Sequence, residues 1–91
     1  MSGLTDNTAL HRFELPMEGL TGFVTYRRSP GVVTLLHAEV PAAIGGRGYG
    51  SRLAAAVLDQ LRAEGVKVVP VCGFIAHYIQ QHPGYADLLP G

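Results

Sequence analysis

The chain has a single cysteine, four scattered histidines and no long apolar run. Because one cysteine cannot close a disulfide within the chain, we expect a reducing compartment such as the cytoplasm. The cysteine and histidines lack the spacing of a zinc site, so we expect no metal. No apolar run is long enough to cross a bilayer, and the N-terminus lacks the layout of a secretory signal, so we expect no membrane partner.

Charge is also scarce, since charged residues make up 15% of the 91 residues and the net charge is zero. No block of basic residues is present, which argues against a broad surface for nucleic acids. Hydrophobic residues make up 47% of the chain. A chain of this length and composition is expected to form one domain over residues 1–91, with one modest core.

The first half of the chain contains three segments that read as half-buried β-strands. They are residues 11–15, 20–27 and 32–40. Short turns with proline or glycine separate them, which predicts an antiparallel meander. Residues 1–9 are small and polar, and we expect them to fray.

The second half has the pattern of a helix, a strand and a short helix. Apolar residues recur every four positions over residues 53–61, and Gly65 is a natural end for this helix. Residues 66–71 read as a buried strand, and residues 74–82 as a short helix with one further turn over 85–89. A strand–helix–strand unit makes a parallel crossover, so the sequence predicts an α+β fold with a mixed, mostly antiparallel sheet in the order β-β-β-α-β-α.

Between the third strand and the first helix lies a glycine loop, residues 45–50, with the sequence GGRGYG. Its glycines free the backbone for positive φ and for close approach of a ligand. Unpaired N–H groups at a helix start, with the helix dipole behind them, attract anions. We therefore predict a diphosphate site; a tight turn without a ligand is the alternative.

Two common nucleotide-binding motifs do not fit this loop. After the spacing from Gly45 to Gly50, Ser51 stands where a Walker A loop requires lysine. A dinucleotide fingerprint that starts at Gly46 has Ser51 in place of its third glycine.

The loop fits the motif R/Q-x-x-G-x-G/A after a strand, and it resembles the coenzyme A-binding half of the GNAT N-acetyltransferase superfamily. The likeness is strongest to its short, stand-alone YjdJ-type members and covers most of residues 32–89. The segments that carry it are residues 37–41, 46–50, 69–72, Phe74, 78–79 and 82–88. One residue departs from the motif, since Gly45 replaces the usual arginine or glutamine. The N-terminal helices of longer members are also not apparent, so the acceptor stays open.

The resemblance implies a three-layer GNAT-like fold and transfer of an acetyl group from acetyl-CoA to an amine, on a small molecule or a protein lysine. Candidate phosphate donors are backbone amides of the loop, with Arg47 and Arg52 adding charge at the rim. The implied cofactor-binding residues are Val40, Gly46, Arg47, Gly48, Tyr49, Gly50, Ser51, Arg52, Cys72, Phe74 and Tyr78. A coenzyme A-binding or regulatory module without catalysis is the first alternative, and a small β-rich interaction domain is the second.

Glu39 and His37 are candidates for the base that deprotonates the amine. They lie two residues apart on one strand, so they are expected to share a face with Val33 and Leu35. This half-apolar setting suits a general base, and the alternative is a strand-end glutamate paired with an arginine. With the glycine loop, Cys72 and Tyr78, Glu39 is expected to converge at the C-terminal ends of the two parallel strands.

Cys72 and Tyr78 each have a catalytic and a packing interpretation. Cys72 could attack the thioester and carry the acetyl group, or pack as a small apolar residue beside the cofactor. Tyr78 could protonate the leaving thiolate, as a tyrosine in this region of the superfamily often does, or only pack. The exposed edge of the sheet leaves both a monomer and a weak homodimer open.

Overall fold

Residues 3–91 are described by a computed structural model, in which five β-strands and two α-helices follow one another. The strands are β1 (Thr5–Asn7), β2 (Arg12–Met17), β3 (Leu20–Ser29), β4 (Val32–Glu39) and β5 (Lys67–Pro70). The helices are α1 (Tyr49–Glu64) and α2 (Gly73–Gln81), and single 3-10 segments occupy Ala42–Ile44 and Pro83–Leu88.

The sheet has the strand order β1-β2-β3-β4-β5. The first four strands pair antiparallel, and β5 pairs parallel to β4 after the crossover through α1. Helix α1 ends at Gly65, whose φ is 75° and whose N–H donates to the carbonyl of Arg62. The predicted α+β fold with a mixed, mostly antiparallel sheet is therefore confirmed.

The N-terminal segment differs from the prediction that residues 1–9 fray. Strand β1 pairs with β2 and extends the sheet, whereas residues 1 and 2 lie outside the described range. Side chains of the inner strands hold it in place: the Tyr26 hydroxyl donates to the carboxylate of Asp6, and Arg28 Nη2 lies 2.9 Å from Asp6 Oδ2. These distant partners compensate for a segment too polar to show a strand pattern of its own.

The buried side chains lie on one face of the sheet and form a single cluster with residues of both helices. The strands contribute Phe13, Leu15, Met17, Val24, Tyr26, Val33, Leu35 and Val68. The alternate positions of β2 and β3, such as Arg12, Glu14 and Thr25, are only partly buried. Polar side chains thus keep the second face of these strands in contact with water.

Two adjacent leucines in β4 provide a test of this packing. Leu35 is 0% exposed and Leu36 is 41% exposed. We expect Leu35→Ala to lower the free energy of unfolding by about 3 kcal/mol, because it removes buried methyl groups and leaves a cavity. Leu36→Ala is the matched control and should cost less than about 1 kcal/mol. Urea unfolding of the two variants measures both values, and equal losses would contradict the packing described.

Candidate functional site

Strand β4 contains a β-bulge that decides which of its side chains face the helices. Consecutive residues of β3 pair with Leu35 and His37, so Leu36 has no ladder partner among the described residues. The extra residue reverses the alternation of faces, as a bulge does. Ala38, rather than His37, therefore lies on the helix-covered face with Leu35.

Beyond the bulge, β4 pairs with β3 alone. The ladder between β4 and β5 ends at the pair Leu35 and Pro70, and the N–H of Cys72 then donates to the carbonyl of Leu35 at 2.9 Å. The second edge of β4 over residues 36–39 has no strand partner in the described part of the chain. The pairing of the two parallel strands thus ends at the edge of the sheet where the sequence predicted a site.

A pocket of about 370 Å³ lies at this end of β4. The end of β4, the glycine loop, the first turn of α1 and the start of α2 line it. The lining residues are Ala38, Val40, Gly45, Gly46, Gly48, Tyr49, Gly50, Ser51, Leu53 and Phe74. Most of the predicted cofactor-binding residues are therefore brought together, whereas Arg47, Arg52, Cys72 and Tyr78 are not among the lining residues.

The backbone amides of residues 46–51 are available to a ligand. On either side of this run the amides are used, since Gly45 N–H donates to Ala42 O and Arg52 N–H donates to Gly48 O. Within the described residues, none of the six amides in between donates to a backbone carbonyl outside the helix, and no side chain caps α1. Such a row of donors at a helix start is an anion site.

Two glycines give this segment its shape. Gly46 has a φ of 80° and Gly48 a φ of 78°, a region that strains residues with a side chain. Left-handed residues that alternate with right-handed or extended ones turn successive amides toward a common side. The loop therefore leads into α1 with a row of unpaired amide donors and without side chains at these two positions.

Gly50 is needed for a different reason, which is close contact with helix α2. A Cβ at this position would lie 2.8 Å from Cζ of Phe74. The Phe74 ring thus covers the first turn of α1 and closes one side of the pocket, although it stays 45% exposed.

Glu18 contacts the rim of the glycine loop and has no counterpart in the sequence prediction. It lies in the turn between β2 and β3, and its carboxylate accepts a hydrogen bond of 2.5 Å from the Tyr49 hydroxyl. Arg47 Nη1 lies 3.3 Å from both carboxylate oxygens. The hydrogen bond to Glu18 is the main cause that raises the pKa of Tyr49. The guanidinium of Arg52 lies over the Tyr49 ring, 4.9 Å from its centroid.

Glu39 and His37 lie on the sheet face that the helices leave uncovered. Their side chains are 59% and 62% exposed, and His37 Nε2 lies 3.4 Å from Glu39 Oε1. The prediction that they share a face with Val33 and Leu35 is wrong, because the bulge at Leu36 reverses the alternation after Leu35. Within the described range the partner of Glu39 is His37 and not an arginine.

Cys72 and Tyr78 are buried, with 8% and 9% of their surfaces exposed. Cys72 precedes α2 as its N-cap residue and belongs to the core cluster. The Tyr78 ring stacks on His82 with centroids 4.0 Å apart, and it follows Phe74 by one helical turn. Of the four groups predicted to converge, only the glycine loop lines the pocket: Glu39 lies across the sheet, and Cys72 and Tyr78 belong to the core cluster.

Two further properties of the described residues concern membranes and metal ions. Between residues 3 and 91, neither helix has the length and apolar character required to traverse a bilayer. Over the same range, no three histidine, cysteine, aspartate or glutamate side chains are grouped so that they could hold a metal ion.

Comparison with known proteins gives matches over most of the chain. The family model of the GCN5-related N-acetyltransferases matches residues 12–88. Protein NATD1 of Homo sapiens is 40% identical over 52 residues, which are 57% of this chain and 46% of that protein. The NATD1 proteins of Mus musculus and Gallus gallus are 40% identical over 52 residues, 57% of this chain and 47% of each relative. The match thus spans about half the length of these curated relatives.

A solved structure is similar over the whole chain. It is the NMR solution structure of a GCN5-like candidate N-acetyltransferase from Staphylococcus aureus, which superposes with a TM-score of 0.71 at 25% sequence identity. The superposition covers 100% of this chain and 92% of that one. The β-strands, crossover helix and terminal helix described above therefore follow the fold of that protein.

Proposed function

The chain belongs to the GCN5-related N-acetyltransferase family, and on that premise we propose that it transfers an acetyl group from acetyl-CoA to an amine. The observation that carries the proposal is the row of free amides at residues 46–51, next to a pocket beside the open edge of β4. The amine, whether on a small molecule or a protein lysine, and the narrower YjdJ-type assignment stay predictions.

The loop fits the diphosphate of coenzyme A chemically. Its amides are donors suited to phosphate oxygens, and the positive end of the α1 dipole adds to their attraction. Gly45 contributes neither a side chain nor its amide, because its N–H already donates to Ala42 O. Arg47, within the row, and Arg52, directly after it, are proposed to add charge at the rim.

The rest of the pocket suits the apolar arm of the same molecule. Ala38, Val40, Leu53 and Phe74 supply apolar walls. The edge of β4 past Leu35 faces no strand of the described chain, so its donors and acceptors are free for amide groups of the arm. When bound, acetyl-CoA supplies the activated acetyl thioester, and the chain holds and orients it.

Proton transfer is assigned to residues on both sides of the sheet. We propose that the acceptor amine approaches from the uncovered face, where Glu39 accepts the proton that nitrogen loses as its bond to the acetyl carbon forms. His37, at 3.4 Å, orients the carboxylate. The carbon–sulfur bond breaks, and the departing sulfur takes a proton. Tyr78, one turn beyond Phe74 on α2, stays the predicted donor, although its ring is buried and outside the pocket lining.

Cys72 is assigned a packing role, and transfer is proposed to be direct. Its side chain is 8% exposed and lies in the core cluster rather than in the pocket lining. We expect Cys72→Ala to keep at least about half of the kcat, because no covalent intermediate is needed. Intact-protein mass after exposure to acetyl-CoA checks this, and we expect no adduct on either protein. An acetyl adduct on the native chain alone, with activity lost in Cys72→Ala, would establish the covalent route instead.

The proposed function is tested by two measurements on the same sample. Calorimetry with coenzyme A measures binding, and release of free thiol from acetyl-CoA with a panel of amines measures turnover. We expect both signals. Absence of coenzyme A binding would contradict the whole proposal.

A coenzyme A-binding module without catalysis is the second candidate. The observation that favours it is the exposure of Glu39 and His37, whose side chains are 59% and 62% exposed. This candidate predicts coenzyme A binding without thiol release for any amine. A reducing cytoplasm is the proposed location for either function, because Cys72 is a free thiol.

A further inference from the structure

Glu18 occupies a turn position that its own backbone preferences do not explain. The turn between β2 and β3 has two loop residues, Glu18 with a φ of 50° and Gly19 with a φ of 78°, between the paired residues Met17 and Leu20. Two positive φ angles in a two-residue hairpin loop define a type I′ turn, whose first position favours asparagine, aspartate or glycine. A glutamate at this position is strained, and the contacts of its side chain indicate a functional role for it.

Those contacts lead to the proposed diphosphate site. The carboxylate of Glu18 accepts from the Tyr49 hydroxyl and pairs with Arg47, and both partners lie in the run of residues that carries the free amides. Glu18 is 29 and 31 residues away from them in the chain. The hairpin thus places a negative charge of the protein at the rim of a site built for anions.

We propose that Glu18 competes with the anionic ligand for Arg47 and Tyr49, and that it thereby limits the affinity of the glycine loop for a diphosphate. The inference rests on the proposed function, because the diphosphate is that of coenzyme A. It makes Glu18 a residue that tunes affinity at the site, although it binds no part of the ligand.

The geometry of the pair favours exchange of partners. Arg47 offers one nitrogen to Glu18 at 3.3 Å, and the side chains of the pair are 61% and 43% exposed. An exposed pair of this kind is weak. A guanidinium forms stronger, bidentate contacts with phosphate. Bringing a diphosphate close to the carboxylate also costs like-charge repulsion within a Debye length.

The test is calorimetry with coenzyme A on the native chain and two variants of Glu18. Glu18→Gln removes the charge, whereas Glu18→Asn also shortens the side chain and suits the type I′ turn. We expect both variants to bind about threefold to tenfold more tightly, with a steeper loss of affinity as salt is added. Glu14→Gln is the matched control: it removes the same charge from β2, where its partners are Arg12 and Asn7, and its affinity should stay within twofold.

A second measurement follows Tyr49 without any ligand. NMR titration of the Tyr49 phenol should give a lower pKa in both Glu18 variants, because its main hydrogen bond to a carboxylate is lost. An unchanged or weakened affinity in the two variants would overturn the competition and make Glu18 a residue that only positions the loop. If neither the native chain nor the variants bind coenzyme A, the proposed function fails, and the competition fails with it.

Discussion

Gly50→Val is expected to lower the affinity for coenzyme A by about a hundredfold or more. The new Cβ would lie 2.8 Å from Cζ of Phe74, so the ring or the first turn of α1 has to move. We expect this displacement to move amides of the glycine loop away from the phosphate. Loss of two hydrogen bonds to a charged phosphate, at about 1.5 kcal/mol each, accounts for this factor. Calorimetry with coenzyme A measures it directly.

The first turn of α2 offers a matched control for this substitution. A Cβ at Gly73 would meet nothing within 4 Å. Gly73→Val should therefore bind coenzyme A as the native chain does. Addition of Phe74→Ala to Gly50→Val removes the clash and should recover part of the lost affinity. Equal affinities of Gly50→Val and Gly73→Val would show that the row of amides is not the binding site.

The sequence predicted the features of this molecule that are determined by residues close together in the chain. The glycine loop and the helix after it are encoded in consecutive positions, so the free amides could be expected from the pattern alone. The strand–helix–strand unit follows the same rule, since its periodicity changes at Gly45 and again at Gly65. Seven of the residues that line the pocket, from Val40 to Phe74, were among those that the resemblance implied.

The face of Glu39 could not be predicted, because it depends on a single unpaired residue. Leu35 and Leu36 are both apolar, and nothing in the sequence marks one of them as the bulge. A shift of one residue moves every later side chain to the other face. A candidate base can thus be assigned to the right strand and still be placed on the wrong side of the sheet.

The sequence also did not predict the contacts between segments that are far apart in the chain. Glu18 reaches Arg47 and Tyr49 only because the β2–β3 hairpin folds toward the loop. Strand β1 likewise depends on Arg28 and Tyr26, which no local pattern links to Asp6. The sequence signal that was present at Glu18 is the Glu-Gly pair in a two-residue turn, where asparagine is the usual choice.

The bulge also divides the proposed chemistry between the two faces of the sheet. The pocket and the glycine loop lie on the face with the helices, whereas Glu39 and His37 lie on the uncovered face of β4. Binding of the cofactor and deprotonation of the amine should then be separable by mutation. A residue of the uncovered face can change turnover without a change in affinity for coenzyme A.

Glu39→Gln is the variant that tests this separation. We expect its kcat to fall by about a hundredfold, the scale of a lost general base, while its affinity for coenzyme A stays within twofold. Thiol release and calorimetry on the same preparation give the two numbers. Glu14→Gln is again the matched control, since it removes a carboxylate from the same face, two strands away, and should leave kcat unchanged. A fall in coenzyme A affinity with Glu39→Gln would contradict the two-faced site. An unchanged kcat would assign the base to another residue. Glu39 would then be only one of the charged groups that keep this face of the sheet in contact with water.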